Sequence, residues 1–264
     1  MILKFLDQKI RRAFSDSAIQ YDVLAGLQKE IGRDLLARIP EEKTCGRILD
    51  IGMGTGYLTN KLCALFPEAH VVGIDFAAGM VASARRKYEG LTIIQGDAQA
   101  LPFGAKVFDL AVSNLAYQWV VDLPAALKGV SGILQREGQL HATVFGHGTL
   151  SELFEALAHA LPQEKGGAPA VLRQMPFKMD VIEALQASGF RDFDVKSESI
   201  KTHFPDMFAL LKWLKDIGAN TPMAPVFLGK STLARASEYY REKFNDQWGV
   251  YATFEVLWIN ATRS

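Results

Sequence analysis

Three acidic residues and a cluster of glycines carry the chemistry open to this sequence. In "ILDIGMGTGYLTNKL", residues 48–62, an apolar run ends at Asp50 and breaks into Gly52, Gly54 and Gly56 before helical spacing resumes. Asp75 ends the next apolar run in "VVGID", and Asp97 follows the third in "IIQGDAQALPF". Glycines at a strand-to-helix turn let the main chain approach a ligand with no Cβ in the way. One such ligand is a dinucleotide, whose pyrophosphate sits at a helix N-terminus behind G-x-G-x-x-G. Here the third place of that pattern is Tyr57, and the extra glycine comes one position early at Gly56. A ligand with an ammonium and a carboxylate but no phosphate, S-adenosylmethionine, suits a bare turn beside the carboxylate of Asp50. Asp75 is placed to accept both ribose hydroxyls, although a nicotinamide protein also puts an acid there. Asp97, with the backbone N–H of Ala98, is placed to read an adenine edge. Each acid alone reads as a solvated strand end or a helix cap. Three successive strand ends delivering them together do not.

Strands must present these groups at one edge. From about Arg47 to Phe145, continuous apolar runs alternate with segments of helical spacing. That pattern predicts an α/β fold: a doubly wound, mostly parallel sheet covered on both faces, with ligands at the carboxyl ends of its strands. After Gly146 the rhythm changes. "TLSELFEALAHAL" reads as a helix, "QEKGGAPAVLRQMP" as a loop-like linker, and "MDVIEALQASGF" as a helix capped at Gly189. "DFDVKSESIKTHF" alternates like a strand, "DMFALLKWLKDIGAN" is a helix stopped at Gly218, and "LARASEYYREKF" is another. "VYATFEVLWINATR" is a closing strand. The helices of this half are expected to be inserted between sheet strands as a cap over the carboxyl edge. The N-terminal "MILKFLDQKIRRAF" reads as an amphipathic helix rather than a signal peptide.

Composition narrows the function classes. The chain has 264 residues, 49% of them hydrophobic, and a formal net charge of zero. No run approaches the roughly 18 apolar residues of a membrane span, and a neutral chain is a poor general nucleic-acid binder. Cys45 and Cys63 are too few for a disulfide framework or a cysteine-based zinc site. The expectation is a cytoplasmic protein with neither membrane nor nucleic-acid partner and no metal.

The acids and glycines resemble those of the class I S-adenosylmethionine-dependent methyltransferases over the sheet, roughly half the chain. "SNLAYQW", residues 113–119, is similar to the "SNLALQW" signature of the malonyl-acyl-carrier-protein O-methyltransferases of biotin synthesis. "RAFSDSAIQYDVLAGLQ" resembles their N-terminal segment, which implies Tyr21, Asp22 and Gln28 beside the cofactor. "GHGTLSELFEAL" is similar to their "GSLxEL" helix, "LLKWLKDIGAN" to their cap helix ending in "LKxIGA", and "ATFEVLWINATR" to their last strand. Departures are Met53 between the first two glycines, Tyr117 inside the signature, where it is expected to narrow the acyl pocket, and His141-Ala142.

The resemblance implies one methyltransferase domain over 1–264, with an N-terminal helical lid over 1–40 and a cofactor core over 46–146. The cap and remaining sheet elements would occupy about 147–235. It implies cofactor contacts from Tyr21, Gln28, Asp50, Gly52, Met53, Gly54, Gly56, Asp75, Phe76, Met80, Asp97, Ala98, Asn114 and Leu115. Candidate substrate contacts are Tyr21, Asn114, Gln118, Trp119, Arg173 and Arg241. The reaction implied is methyl transfer to the free carboxylate of malonyl-acyl-carrier protein, with S-adenosylhomocysteine as coproduct and a monomer as the working form. A malonyl carboxyl with a pKa near ~4 is already ionised at neutral pH, so no general base is expected. Selecting that carboxylate calls for a buried cation, with Arg173, Lys178, Lys212 and Arg241 as candidates. A basic rim for an acidic carrier is expected from Lys9, Arg11 and Arg12, or from Lys230, Arg235 and Arg241. Trp119, Trp213 and Trp258 read first as packing residues. Two other readings stay open: a methyltransferase for a small carboxylic acid or a quinone or phenol precursor, and a binding module without catalysis.

Overall fold

Apolar runs between Arg47 and Phe145 fold as parallel strands because they are hydrophobic on both faces and each is followed by a segment able to cover one of them. The structure, a computed structural model, describes residues 2–40, 43, 45–161, 174–219 and 228–264, with side chains from residue 8 onward. Two helices open the chain, α1 (Ile2–Leu24) and α2 (Gly26–Ala37). Strand β1 (Arg47–Ile51), helix α3 (Tyr57–Leu65), β2 (His70–Asp75), α4 (Ala78–Lys87) and β3 (Thr92–Gln95) follow. Then come β4 (Phe108–Asn114), a 3-10 turn at Tyr117–Trp119, α5 (Leu123–Ile133) and β5 (Leu134–Phe145). The sheet runs β3-β2-β1-β4-β5 in parallel pairs. β1 therefore has β2 on one side and β4 on the other, so connections leave it in opposite directions and open a crevice at its carboxyl end.

The second half adds α6 (Ser151–Ala160), α7 (Lys178–Ala187), β6 (Phe190–Phe204), α8 (Met207–Asp216), α9 (Lys230–Lys243), β7 (Asn245–Asp246) and β8 (Gly249–Arg263). β8 pairs antiparallel with both β5 and β6, and β7 pairs with β8. The doubly wound α/β reading holds, and the helices α8 and α9 do lie between sheet strands in sequence. Helices α7 and α8 stop just before Gly189 and Gly218, as their glycines predict. β5 begins earlier than "GQLHATVFG" suggests: Phe108 pairs with Leu134 and Leu110 with Gln139, and the register shift between them takes up the extra residues. Most of the predicted linker over 163–176 lies outside the described residues.

Alternate residues of β1 enter opposite cores, as the two-residue strand period requires. Ile48 joins Leu62, Leu110, Ile31 and Leu35 with Leu153, Leu210 and Tyr240 of the inserted helices. Leu49 and Ile51 join Leu127 and Val130 of α5 with Val181 and Leu185 of α7. Helix α8 is tied to α1 by Trp213 Nε1, which donates to Leu24 O at 3.0 Å, and by Gln20 Nε2, which donates to Asp216 O at 3.2 Å. On its other side α1 crosses α4 so closely that a Cβ on Gly79 would lie 2.2 Å from Ser15 O. Backbone cannot yield at that distance, so Gly79→Ala should push α1 off α4. Overpacking of this kind costs about 1–3 kcal/mol, here loaded on α1 and not on the sheet cores. We expect severalfold faster trypsin cleavage at Lys9, Arg11 and Arg12 with little change in the melting of the rest. Unchanged protection of those sites would contradict this packing.

Candidate active site

The crevice beside β1 is shaped by hydrogen bonds that tie the glycine loop to the end of β2. Gly52 and Met53 N–H both donate to Ile74 O, at 2.8 and 3.1 Å. Gly54 N–H donates to Asp75 Oδ2 at 2.9 Å, and Ala77 N–H, at the start of α4, donates to Oδ1 at 2.8 Å. Gly52 has a φ of +73°, and a Cβ there would meet the Ala116 Cβ at 2.3 Å. Only glycine fits both the left-handed geometry and that approach. The bare loop forms one side of a cavity whose lining brings together Gly52, Gly54, Asp75, Phe76, Met80, Asp97, Ala98, Asn114 and Leu115. Tyr21 and Phe14 of α1 and Trp119 complete it.

The two acids in this cavity differ in their surroundings. Burial raises the Asp75 carboxyl to a pKa of about 6, against the opposing pull of its bonds from Ala77 and Gly54. Asp97 accepts from Gln99 N–H at 2.9 Å and from Arg11 Nη2 at 2.6 Å. The Arg11 guanidinium also lies 5.3 Å from the centre of the Phe76 ring. Arg11 thus reaches the rim of this cavity through Asp97, with a carboxylate and a ring face holding its partly exposed guanidinium there. Asn114 is fixed on both ends, with Nδ2 donating to Gln28 O at 2.9 Å and Oδ1 accepting from Thr143 Oγ1 at 2.8 Å. Leu115 beside it holds a φ of 55°, kept by its N–H bond to Thr143 O at 3.0 Å. A non-glycine residue in that region is uncommon, and such geometry clusters at binding sites.

A second cavity adjoins the first and shares Phe14, Tyr21, Leu115 and Trp119 with it. The ring of Trp119 stands edge-on to Phe14 with centroids 5.2 Å apart. The rest of its lining includes Gln28, Gln118, Phe145, Leu150, Phe154, Trp213 and Phe254. Burial and the nearby Asp75 push the Tyr21 hydroxyl well above the usual tyrosine range, so it stays protonated in the shared wall.

Several predicted residues are not brought to the first cavity. Asp50 is buried behind the loop, where Thr59 Oγ1 donates to it at 2.6 Å. Burial there lifts its pKa to about 7, with Asp75 adding to the rise, so it braces the start of α3 and faces no cavity. Met53 packs beneath the loop, its Sδ 2.5 Å from where a Cβ on Gly73 would stand. Gly56 precedes α3 and lies against Ala84 and Tyr88. Gln28 lines the second cavity and not the first. Asp22 lines neither. It accepts from Thr55 Oγ1 at 2.8 Å and pairs with Lys87 at 2.7 Å, which fastens α1 to the glycine loop and to α4. Tyr117 does not narrow the second cavity, because its ring points into the core on the α5 side of the sheet. Of the proposed cations, Lys178, Lys212 and Arg241 are exposed and line neither cavity, Lys212 being paired with Asp216. Arg173 lies outside the described residues. The contributions of Arg11, Phe14 and Phe154 were not read from the sequence. Their only signal there is an arginine and aromatics on helical segments, a pattern shared with ordinary packing.

A family described as a methyltransferase domain matches residues 48–138, from within β1 to within β5. A malonyl-[acyl-carrier protein] O-methyltransferase of Methylococcus capsulatus is 35% identical, over 93% of this chain and 90% of that protein. Another, of Geobacter sulfurreducens, is 34% identical over 95% and 97%. Among solved structures, phosphoethanolamine N-methyltransferase 2 of Haemonchus contortus, in complex with S-adenosyl-L-methionine, superposes with a TM-score of 0.61 at 20% identity. It covers 100% of this chain and 60% of its own. The YcgJ protein of Bacillus subtilis gives a TM-score of 0.60 at 16% identity, over 88% and 97%. These last two share the fold.

The perturbed carboxyl at Asp75 gives the first cavity a pH signature. A carboxyl that keeps its proton to higher pH when folded makes the folded chain bind more protons than the unfolded one. Stability therefore falls as pH rises from about 4 to about 7. A hydroxyl-rich ligand recovers part of that loss, because an ionised carboxylate accepts hydrogen bonds more strongly than a neutral one. Calorimetric affinity for S-adenosylhomocysteine is expected to rise between about pH 5 and 7, and Asp75→Asn should both weaken binding and flatten the profile. A slope that survives in Asp75→Asn would remove Asp75 from ligand contact.

Proposed function

The chain belongs to the malonyl-[acyl-carrier protein] O-methyltransferases, and from that premise we propose that its two cavities hold the two partners of that reaction. The enzyme is an S-adenosylmethionine-dependent O-methyltransferase that converts the free carboxylate of malonyl-acyl-carrier protein to its methyl ester, an early step of biotin synthesis. The observation that carries the assignment is the shared wall: Phe14, Tyr21, Leu115 and Trp119 border both a cavity at the glycine loop that holds Asp75 and Asp97 and an apolar one beneath the inserted helices.

The first cavity suits S-adenosylmethionine because a Cβ would fill the bare loop at Gly52 and because one face carries two separately placed acids. In this reading the backbone of Gly52 and Gly54 with Asn114 holds the amino-acid end, Asp75 the ribose, and Asp97 with Ala98 the adenine, between Phe76 and Met80. When bound, S-adenosylmethionine supplies a methyl group on a sulfonium: a carboxylate oxygen pair forms the new C–O bond while the C–S pair stays with sulfur, and no proton moves.

The residues of the chain then have three tasks: binding, alignment and removal of water. Phe145, Leu150, Phe154, Trp213 and Phe254 make the second cavity dry. Desolvation strips a carboxylate of its hydration and leaves it a better nucleophile. Tyr21, protonated in the wall between the cavities, is a hydrogen-bond donor there and no base. The reading calls for no general base and no metal, since the substrate arrives ionised. A monomer as the working form belongs to the same reading. In the same reading segment 1–40 acts as a lid, and about 147–235 supplies the cap and the remaining sheet elements around the 46–146 core. A cytoplasmic setting belongs to the same reading, and among the described residues no helix is long and apolar enough to cross a membrane.

Mass spectrometry of malonyl-acyl-carrier protein, after incubation with enzyme and S-adenosylmethionine, should show one added methyl group per malonyl. Unmodified carrier beside methylated free malonate or malonyl-CoA would favour a small-molecule acid instead. S-adenosylhomocysteine is expected to inhibit with a constant close to the KM of the methyl donor, because the contacts proposed here do not touch the methyl group. An inhibition constant far above that KM would contradict this use of the first cavity.

A further inference from the structure

The second cavity holds two polar groups that the fold does not satisfy. Gln28 is 8% exposed and Gln118 4%, and the carboxamide oxygen of each is buried without a hydrogen-bond partner. Both side chains line the apolar cavity beside the shared wall. The neighbouring Thr149 hydroxyl, by contrast, is occupied: it donates to Glu255 O and accepts from Glu255 N–H. A buried carboxamide oxygen without a partner is costly to a fold, since its desolvation is not repaid. Two of them facing one cavity mark that cavity as built for a polar ligand end. A half-turn about the last side-chain bond exchanges the C=O and NH2 of each, so either glutamine can present N–H donors.

We infer that the carboxamides of Gln28 and Gln118 bind the carboxylate end of the malonyl group, selecting it with neutral N–H donors in place of the buried cation that carboxylate recognition suggests. This deepens the reading given above and rests on it. The reason lies in how charge changes along the reaction. The carboxylate loses its negative charge as the methyl group arrives. A guanidinium fork would stabilise the starting ion more than the transition state, and so would slow the transfer it helps to bind. Neutral donors carry less of that penalty. The oxygen that does not attack becomes the ester carbonyl oxygen, which still accepts an N–H bond, so the same donors serve before and after transfer. Selectivity follows as well: an acetyl group would leave both amides unpaired, and a site built to hydrogen-bond a substrate group rejects the analogue that lacks it. Among the described residues no lysine or arginine lines this cavity.

The test uses the full chain with S-adenosylhomocysteine bound, so that carriers bind without turnover. Calorimetry then compares malonyl-acyl-carrier protein with acetyl-acyl-carrier protein. Gln28→Met and Gln118→Met keep side-chain length and remove the donors. Each is expected to weaken malonyl-carrier binding about tenfold or more, as the loss of a bond to a charged group does. Acetyl-carrier and S-adenosylhomocysteine binding should hold at wild-type values. Gln118→Arg is expected to tighten malonyl-carrier binding and to slow methyl transfer in a single turnover. Should methionine at either place unfold the chain, the near-isosteric Gln118→Glu carries the test, with lost malonyl-carrier binding expected. Unchanged malonyl preference in these variants, its loss in Arg173→Ala alone, or faster transfer in Gln118→Arg would each overturn the assignment. If the wild-type enzyme leaves malonyl-acyl-carrier protein unmodified, the functional reading itself fails. If it methylates the carrier while the variants bind as wild type does, only the amide assignment falls.

Discussion

The bond from Gly54 N–H to the Asp75 carboxylate sets the frame for nearly everything around it. It holds the turn after β1 against the end of β2, and the second oxygen of the same carboxylate receives Ala77 N–H at the start of α4. One buried anion thereby positions a loop, a strand end and a helix start together. The chain then refers α1 to the same frame. Asp22 bonds Thr55 in the loop and Lys87 at the end of α4, and Ser15 crosses Gly79 at a distance that admits no side chain. Floor and roof of the first cavity are consequently built on one hydrogen-bonded corner. The same anion is held in the cavity by burial that works against its charge, so the site keeps an acceptor whose demand for donors is met only in part by the backbone.

The two cavities divide the electrostatics between them. The first has carboxylates, one of them paired with Arg11, and the second has neutral amides and aromatic rings. This suits a reaction between an anion and a sulfonium, in which both charges disappear. Fixed ions close to the transferred group would resist that change, whereas apolar walls and neutral dipoles do not.

Much of this was legible in the residues. Glycines at 52, 54 and 56 between apolar and helical runs announce the turn, and "VVGID" with "IIQGD" announces two more strand ends on the same edge. Alternation of strands and helices fixes the doubly wound sheet through the handedness of its crossovers. What remained hidden is which way a side chain turns once its strand has ended. Asp50 has the composition of a ligand-facing acid, yet Thr59, in the next helix, draws it behind the loop. Tyr117 and Gln118 are adjacent in one signature, and a 3-10 turn sends the first into the core and the second into the apolar cavity. Arg11 reads as surface charge because Asp97, its partner, is 86 residues away. Long-range pairing leaves no periodicity in a sequence.

The place of β8 has a consequence for how the protein is made. It lies between β5 and β6 in the sheet, although both precede it in the chain. During synthesis the parallel half can assemble first, as N-terminal units generally do, and it then presents the outer edge of β5 unpaired. The ribosome must add residues 146–248 before β8 begins, an interval on the order of 5–20 s at ordinary elongation rates. Once residue 204 has been added, β6 also waits for the strand with which it pairs along nearly its whole length. A nascent chain in this state exposes two sheet edges, each a template for another nascent chain. Chaperone demand and misassembly in a cell should therefore depend on how fast the second half of the message is translated, more than on the stability of the finished fold.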